Sequence, residues 1–242
     1  MKDEATEAYF NEYTPEYGVY RFEYAVGAIR RLCKPGSSFV DVGCGVGNIL
    51  EFIRNETPIE NLCGIDVSEN CLREARARVN CETYAGSIVD ARFVSGIKKR
   101  FDFVMLAAVL HHLIGPAKRE CRRMCEAAVA NSLSLVKDGG YLIVLEPTIN
   151  PAFSTDLIYH VKRLVTRVTT RRVGIFDKWN NIGAPVVAYF TDYELVDMLK
   201  AAKGCKVEDV DVNERQMNLM YRLALMTKRA ETTVLVRKTA AR

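Results

Sequence analysis

Phe39-Val40-Asp41-Val42-Gly43-Cys44-Gly45-Val46-Gly47-Asn48 decides the architecture of this 242-residue chain. The apolar run into Asp41 reads as a buried parallel strand. Gly43, Gly45 and Gly47 then let the backbone turn tightly beneath a ligand. Asn48 opens a helix whose apolar positions are Ile49, Leu50, Phe52 and Ile53. Strand, glycine turn and helix are the unit with which an open α/β sheet binds a nucleotide-like cofactor.

The spacing narrows the cofactor. A dinucleotide fingerprint is Gly-x-Gly-x-x-Gly, with the pyrophosphate on the helix N-terminus. Here the third glycine comes one residue early, and a carboxylate stands two residues before the first. At ~4 Å from a phosphate that carboxylate would cost roughly 1 kcal/mol even in water. A cationic head group gains where a pyrophosphate loses. The turn resembles the first motif of the class I S-adenosylmethionine-dependent methyltransferases, Asp-x-Gly-x-Gly-x-Gly.

The resemblance extends over roughly the first 150 residues. Leu62-Cys63-Gly64-Ile65-Asp66 reads as a second strand ending in an acid placed for ribose hydroxyls. Ser68 is the expected cap of the next helix. Glu82–Ser87 resembles the third strand and adenine turn, although the family often has an acid where Ser87 stands. Phe101–Leu106 resembles the fourth strand. Leu133–Glu146, with Asp138-Gly139-Gly140, resembles a helix end and fifth strand. The resemblance implies a doubly wound, seven-stranded, mostly parallel α/β sheet. It implies cofactor contacts from Asp41, Gly43, Cys44, Gly45, Gly47, Asp66, Val67, Ser87, Ile88, Leu106 and Ala107. The cofactor implied is S-adenosyl-L-methionine, released as S-adenosyl-L-homocysteine.

Composition agrees with one α/β domain: 49 % hydrophobic, 26 % charged and a net charge of +4. The longest apolar run, Phe103–Leu110, is far short of the ~20 residues of a membrane span. No apolar signal core follows the acidic start. Eight cysteines without a Cys-x-x-Cys pair suggest free thiols in a reducing, cytoplasmic setting. Cys121 and Cys125 share a helix face without a histidine or acid cluster to complete a metal site, so no metal is expected.

Residues 36–146 read as the cofactor-binding half, with decorations on either side. Residues 1–35 read as a helical lid: Val19, Phe22, Val26 and Ile29 keep helical spacing, overlapped by a tyrosine series including Tyr13. Similar methyltransferases suggest Tyr13 at the pocket and Arg21 on the methionine carboxylate. Residues 147–190 are too long for a plain connection and read as a substrate-recognition insertion. There Leu157, Ile158, Val161, Leu164, Val165 and Val168 form an apolar face, and Lys162, Arg163, Arg167, Arg171 and Arg172 a basic one. The apolar face is expected to pack inward. The basic face suits solvent, an anionic substrate or a membrane surface. Trp179 follows as a stacking or anchoring residue. Residues 191–242 supply a helix from Thr191 and two final antiparallel strands, with a methionine-rich stretch around Met217–Met226 between them.

Methyl transfer asks for alignment, exclusion of water and, for a hydroxyl acceptor, a base. His111 and His112 follow the fourth strand, and adjacent residues do not easily face one cleft. His111 is the expected base, Glu146 its orienter or a substrate contact, and the third histidine, His160, a surface or packing residue. No Asn/Asp-Pro-Pro-Tyr/Phe follows the fourth strand, which removes DNA amino-group methylation. The mild charge gives RNA little support. O-methylation of a small molecule or small conjugate, anionic ones included, leads. Amine, carbon, sugar-linked, lipid-linked and RNA acceptors stay as alternatives, as does a non-catalytic binding subunit. Monomer and homodimer are both open.

Overall fold

A computed structural model describes residues 19–168, 186–217, 222 and 225–240. Tyr13, Arg171, Arg172, Trp179 and much of the methionine-rich stretch lie outside the described residues. After a short 3-10 turn at Val19–Phe22, the order is α1 (Glu23–Leu32), β1 (Ser38–Val42), α2 (Asn48–Glu56), β2 (Asn61–Asp66), α3 (Glu69–Val79) and β3 (Glu82–Ala85). It continues with α4 (Ala91–Gly96), β4 (Phe101–Ala107), a 3-10 turn at Leu110–His112, α5 (Lys118–Leu135), β5 (Val136–Asn150) and α6 (Ala152–Val168). The last elements are α7 (Asp192–Ala201), β6 (Cys205–Glu214) and β7 (Lys228–Lys238).

One seven-stranded sheet runs β3-β2-β1-β4-β5-β7-β6, parallel except for β7, which is antiparallel to both β5 and β6. Each residue of β1 is buried, as a strand covered on both faces requires. One face packs Val40, Val104 and Val144 against α4, α5 and α7. The other packs Phe39, Phe103 and Ile143 against α1, α2 and α3. The winding reverses between β1 and β4, which pair Val42 with Leu106. Ligands bind outside the carboxyl ends of strands at such a reversal.

Local chemistry sets the helix starts. Ser68 Oγ accepts the Cys71 N–H at the head of α3. Thr191 and Glu194 form a reciprocal capping box on α7. Two sequence expectations shift. Asp138-Gly139-Gly140, expected before the fifth strand, lies within β5, because Val136 already pairs with Phe101 and the register shifts before Tyr141 pairs with Phe103. β5 also continues through Pro147 to Asn150, where β7 keeps pairing with it, so the insertion opens at 151 instead of 147.

The helix of that insertion is reversed with respect to the expectation. Phe153, Leu157, Val161 and Leu164 of α6 are 50, 43, 50 and 63 % exposed. Ser154, Thr155 and Tyr159 are buried. Polar anchors fix this orientation: Ser154 Oγ donates to the Leu225 carbonyl (3.0 Å), Lys118 pairs with Asp156, and Tyr159 packs with Cys121 and Ala188.

Candidate active site

At the end of β1 the chain turns through Gly43, Gly45 and Gly47, with φ of +76°, +50° and +85°. A side chain at Gly47 would press on Ala75 of α3 at 3.1 Å, whereas nothing lies within 4 Å of the position at Gly45. The backbone is thus bare on the side where a ligand approaches. Cys44 is buried beneath it, its Sγ against Gly64.

Two acids flank the turn. Asp66 is shared between backbone donors: Oδ2 accepts the Gly45 N–H and Oδ1 the Ser68 N–H, each at 2.9 Å. Each oxygen keeps acceptor capacity for a ribose hydroxyl. Asp41 is fully buried, and neither of its oxygens has a hydrogen-bond partner among the described residues. Burial, with the Asp66 charge adding to it, pushes Asp41 up to about 8. A buried carboxylate without a donor is costly and suits an incoming ammonium. The bare glycine turn, Asp41 and Asp66 therefore fit S-adenosylmethionine, whose amino group and ribose they would hold.

Farther along the pocket, Val67 is 41 % exposed beside Asp66, while Ile88 is buried in the core. Ser87 Oγ accepts the Val89 N–H. Leu106 is fully buried among core side chains, which leaves only its backbone for a ligand. Ala107 is half-buried at the strand end. Arg21, expected at the methionine carboxylate, is instead bound to Glu231 of β7 (2.8 Å), both side chains almost buried. Glu231 stands opposite Pro147 in the sheet, and nothing in its own neighbourhood of sequence marks it as a partner for Arg21.

After β4 comes Ala108, a non-glycine residue at φ +57°, a conformation that costs energy and clusters at functional sites. It throws β4 into the 3-10 turn of His111 and His112. Glu146, wholly buried on β5, straps this turn: Oε1 accepts the N–H groups of Val109 (2.8 Å) and Leu110 (2.6 Å), and Oε2 lies 2.6 Å from His111 Nδ1. The two imidazoles are not split between cleft and interior as expected. The tight turn holds their centroids 4.0 Å apart, and Tyr189 stacks on His111 at 5.4 Å. Burial, with the positive charges of Arg21 and Lys162 adding to it, holds His111 below the usual imidazole range. Burial raises Glu146 to about 7, against the opposing pull of its backbone donors. With Glu146 ionised, a neutral His111 would donate its Nδ1–H to the carboxylate.

Lys162, read from sequence as part of a solvated basic face, turns inward, and its charge reaches both histidines. Burial lowers it to about 8. Among the described residues no group of histidine, cysteine and acid side chains is arranged to hold a metal ion.

A reversal-point crevice with a buried acid unpartnered among the described residues, a second acid bonded to the backbone of the turn, and a bare glycine turn fits a nucleoside-sulfonium site of the methyltransferase class. The chain belongs to the S-adenosylmethionine-dependent methyltransferases: residues 17–202 match the family described as a methyltransferase domain. No curated protein matches the chain. Solved structures share its fold at low identity. An S-adenosylmethionine-dependent methyltransferase from Methanosarcina mazei is 17 % identical with a TM-score of 0.60, over 88 % of this chain and 98 % of that one. The N-methyltransferase NodS from Bradyrhizobium japonicum, in complex with S-adenosyl-L-homocysteine, is 13 % identical with a TM-score of 0.60, over 98 % and 100 %. The [4+2]-cyclase SpnF is 16 % identical with a TM-score of 0.60, over 91 % and 81 %. The fold alone therefore does not choose the reaction partner.

Proposed function

We propose that this methyltransferase methylates a hydroxyl of a small molecule or small conjugate, with His111 as base and Glu146 as its positioning residue. The sulfonium of the cofactor supplies an already activated methyl group. Glu146 holds the His111 Nδ1–H and so keeps Nε2 as the proton acceptor. As the acceptor oxygen loses its proton, His111 takes it at Nε2, and the resulting imidazolium rests on the Glu146 carboxylate. Tyr189 keeps the ring in plane.

The observation that carries this reading is the 2.6 Å contact between His111 Nδ1 and Glu146 Oε2. The field at His111 supports it. Arg21 and Lys162 place positive charge near the turn, which suits a developing alkoxide or phenolate better than an ammonium acceptor. The imidazolium that they oppose on His111 depends on the Glu146 carboxylate for its stabilisation. The test is a screen of hydroxylated small molecules, with and without an anionic group, for methyl transfer from labelled S-adenosylmethionine. Transfer to oxygen that is lost in His111→Gln supports the reading. Transfer to amines alone overturns it.

A further inference from the structure

The insertion helix α6 turns a lysine toward the histidine turn. Val161 and Leu164 are 50 and 63 % exposed, yet Lys162 between them is half-buried. Lys162 follows Thr155 and Tyr159 at steps of four and three, so the three share the inner side of the helix. Tyr159 seats that side. Its ring packs with Cys121 and Ala188, and its hydroxyl accepts from Arg163 Nη1 at 2.8 Å.

These contacts lead to His111. The Ala188 N–H donates to the His111 carbonyl at 2.9 Å, and Tyr189, the next residue, stacks on the imidazole. Lys162, about one helical turn beyond Tyr159, thus lies beside the turn of both histidines, and its charge acts on both rings.

Arg21 and Lys162 both act on His111, but they differ in kind. Arg21 is held by Glu231 at 2.8 Å, both side chains almost buried. Lys162 is a compact point charge on a flexible four-carbon stem, carried by the insertion and not by the sheet. Burial pushes it down to about 8, and a carboxylate beside it would favour the ammonium form. Such a carboxylate would also cancel the opposition of Lys162 to an imidazolium on His111. The base would then be strengthened by the substrate it serves.

We propose that Lys162 binds a carboxylate of the methyl acceptor, so that the substrate is a hydroxy acid whose hydroxyl meets His111. The inference rests on the O-methylation reading above. The hydroxyl oxygen takes the methyl group and gives its proton to His111 Nε2. The electrons of the broken carbon–sulfur bond stay on sulfur, and the carboxylate is unchanged.

The chain loaded with S-adenosylhomocysteine would be titrated calorimetrically with 2-, 3- and 4-hydroxybenzoate and with their methyl esters. The same compounds would be offered with labelled S-adenosylmethionine. At least one acid is expected to bind about ten-fold more tightly than its ester, and less tightly as salt rises. In Lys162→Met the preference should vanish, with ester and S-adenosylhomocysteine affinities moving less than about two-fold. Lys162→Arg, which keeps the charge, should keep most of the preference. The proposal falls if no acid binds, if acids and esters bind alike, or if Lys162→Met retains the preference. Charge-selective binding that Lys162→Met abolishes, without formation of any methyl ether, would leave the carboxylate site standing and overturn the hydroxyl reading. Methyl ethers formed equally from acids and esters would do the reverse.

Discussion

Glu146 Oε2 lies 2.6 Å from His111 Nδ1, and the other oxygen of the same carboxylate receives two backbone N–H groups from the turn that carries the histidine. One side chain thus fixes both the path of the loop and the tautomer of its imidazole. Separating these two roles is the first experimental task.

His111→Gln should lower kcat by about 10²- to 10⁴-fold, the usual contribution of a positioned base. The dissociation constant for S-adenosylhomocysteine should move less than about two-fold, since the histidine lies beyond the cofactor acids. Stopped-assay turnover alongside calorimetry checks both halves. A binding loss equal to the rate loss would assign His111 a purely structural part.

The rate should fall on the acid side because of Glu146, not because of the histidine. Burial raises Glu146 to about 7. Above that value the ionised carboxylate accepts the Nδ1–H and leaves Nε2 free to take a proton. Below it the protonated acid would donate to Nδ1, and Nε2 would carry the hydrogen. kcat/KM should therefore climb as pH rises through about 7. In Glu146→Gln that limb should vanish and the plateau should drop by roughly 10²-fold. A pH profile of both proteins decides it.

Asp66→Asn should weaken S-adenosylhomocysteine binding by about ten- to a hundred-fold, the worth of charge-assisted hydrogen bonds to two hydroxyls. Its effect on kcat at saturating cofactor should be small. Calorimetric titration measures the first and saturation kinetics the second.

Asp41 should reveal itself through protons. It is pushed up to about 8 without ligand, so at pH 7 it is largely protonated. An ammonium arriving beside it favours the carboxylate, and the proton must leave. Cofactor binding at pH 7 should release a proton, seen as a dependence of the apparent enthalpy on the ionisation enthalpy of the buffer. The dependence should disappear in Asp41→Asn. The same shift has a stability consequence in the free protein. The folded state holds this proton more tightly than the unfolded chain, so the contribution of Asp41 is full below about pH 4 and is lost as pH rises through about 8.

Much of this was legible from local signals. The glycine turn, Asp66 and the Thr191 cap are each encoded within a few residues, so spacing alone locates them. The α6 helix marks the boundary of that reading. Periodicity shows that Leu157, Val161 and Leu164 share a side, but not whether that side meets the protein. The decision comes from Ser154, Thr155 and Tyr159 and their partners on other elements. Arg21 and Glu231 stand 210 residues apart and meet only because β7 folds back beside β5. The pairing of both histidines escaped for a different reason. Alternation along a strand would separate neighbours, and only the left-handed Ala108 converts the segment into a turn where they meet.

Val109 ties the two halves of the crevice together. A methyl added to Gly43 would come within 2.6 Å of Val109 Cγ2, and the Val109 N–H is held by Glu146. The glycine turn and the turn of His111 and His112 thus share a partition one side chain thick. Any rearrangement of the glycines as the pocket fills must push on the residue that seats the base. Packing at Val109 therefore joins the shape of the glycine turn to the seating of His111.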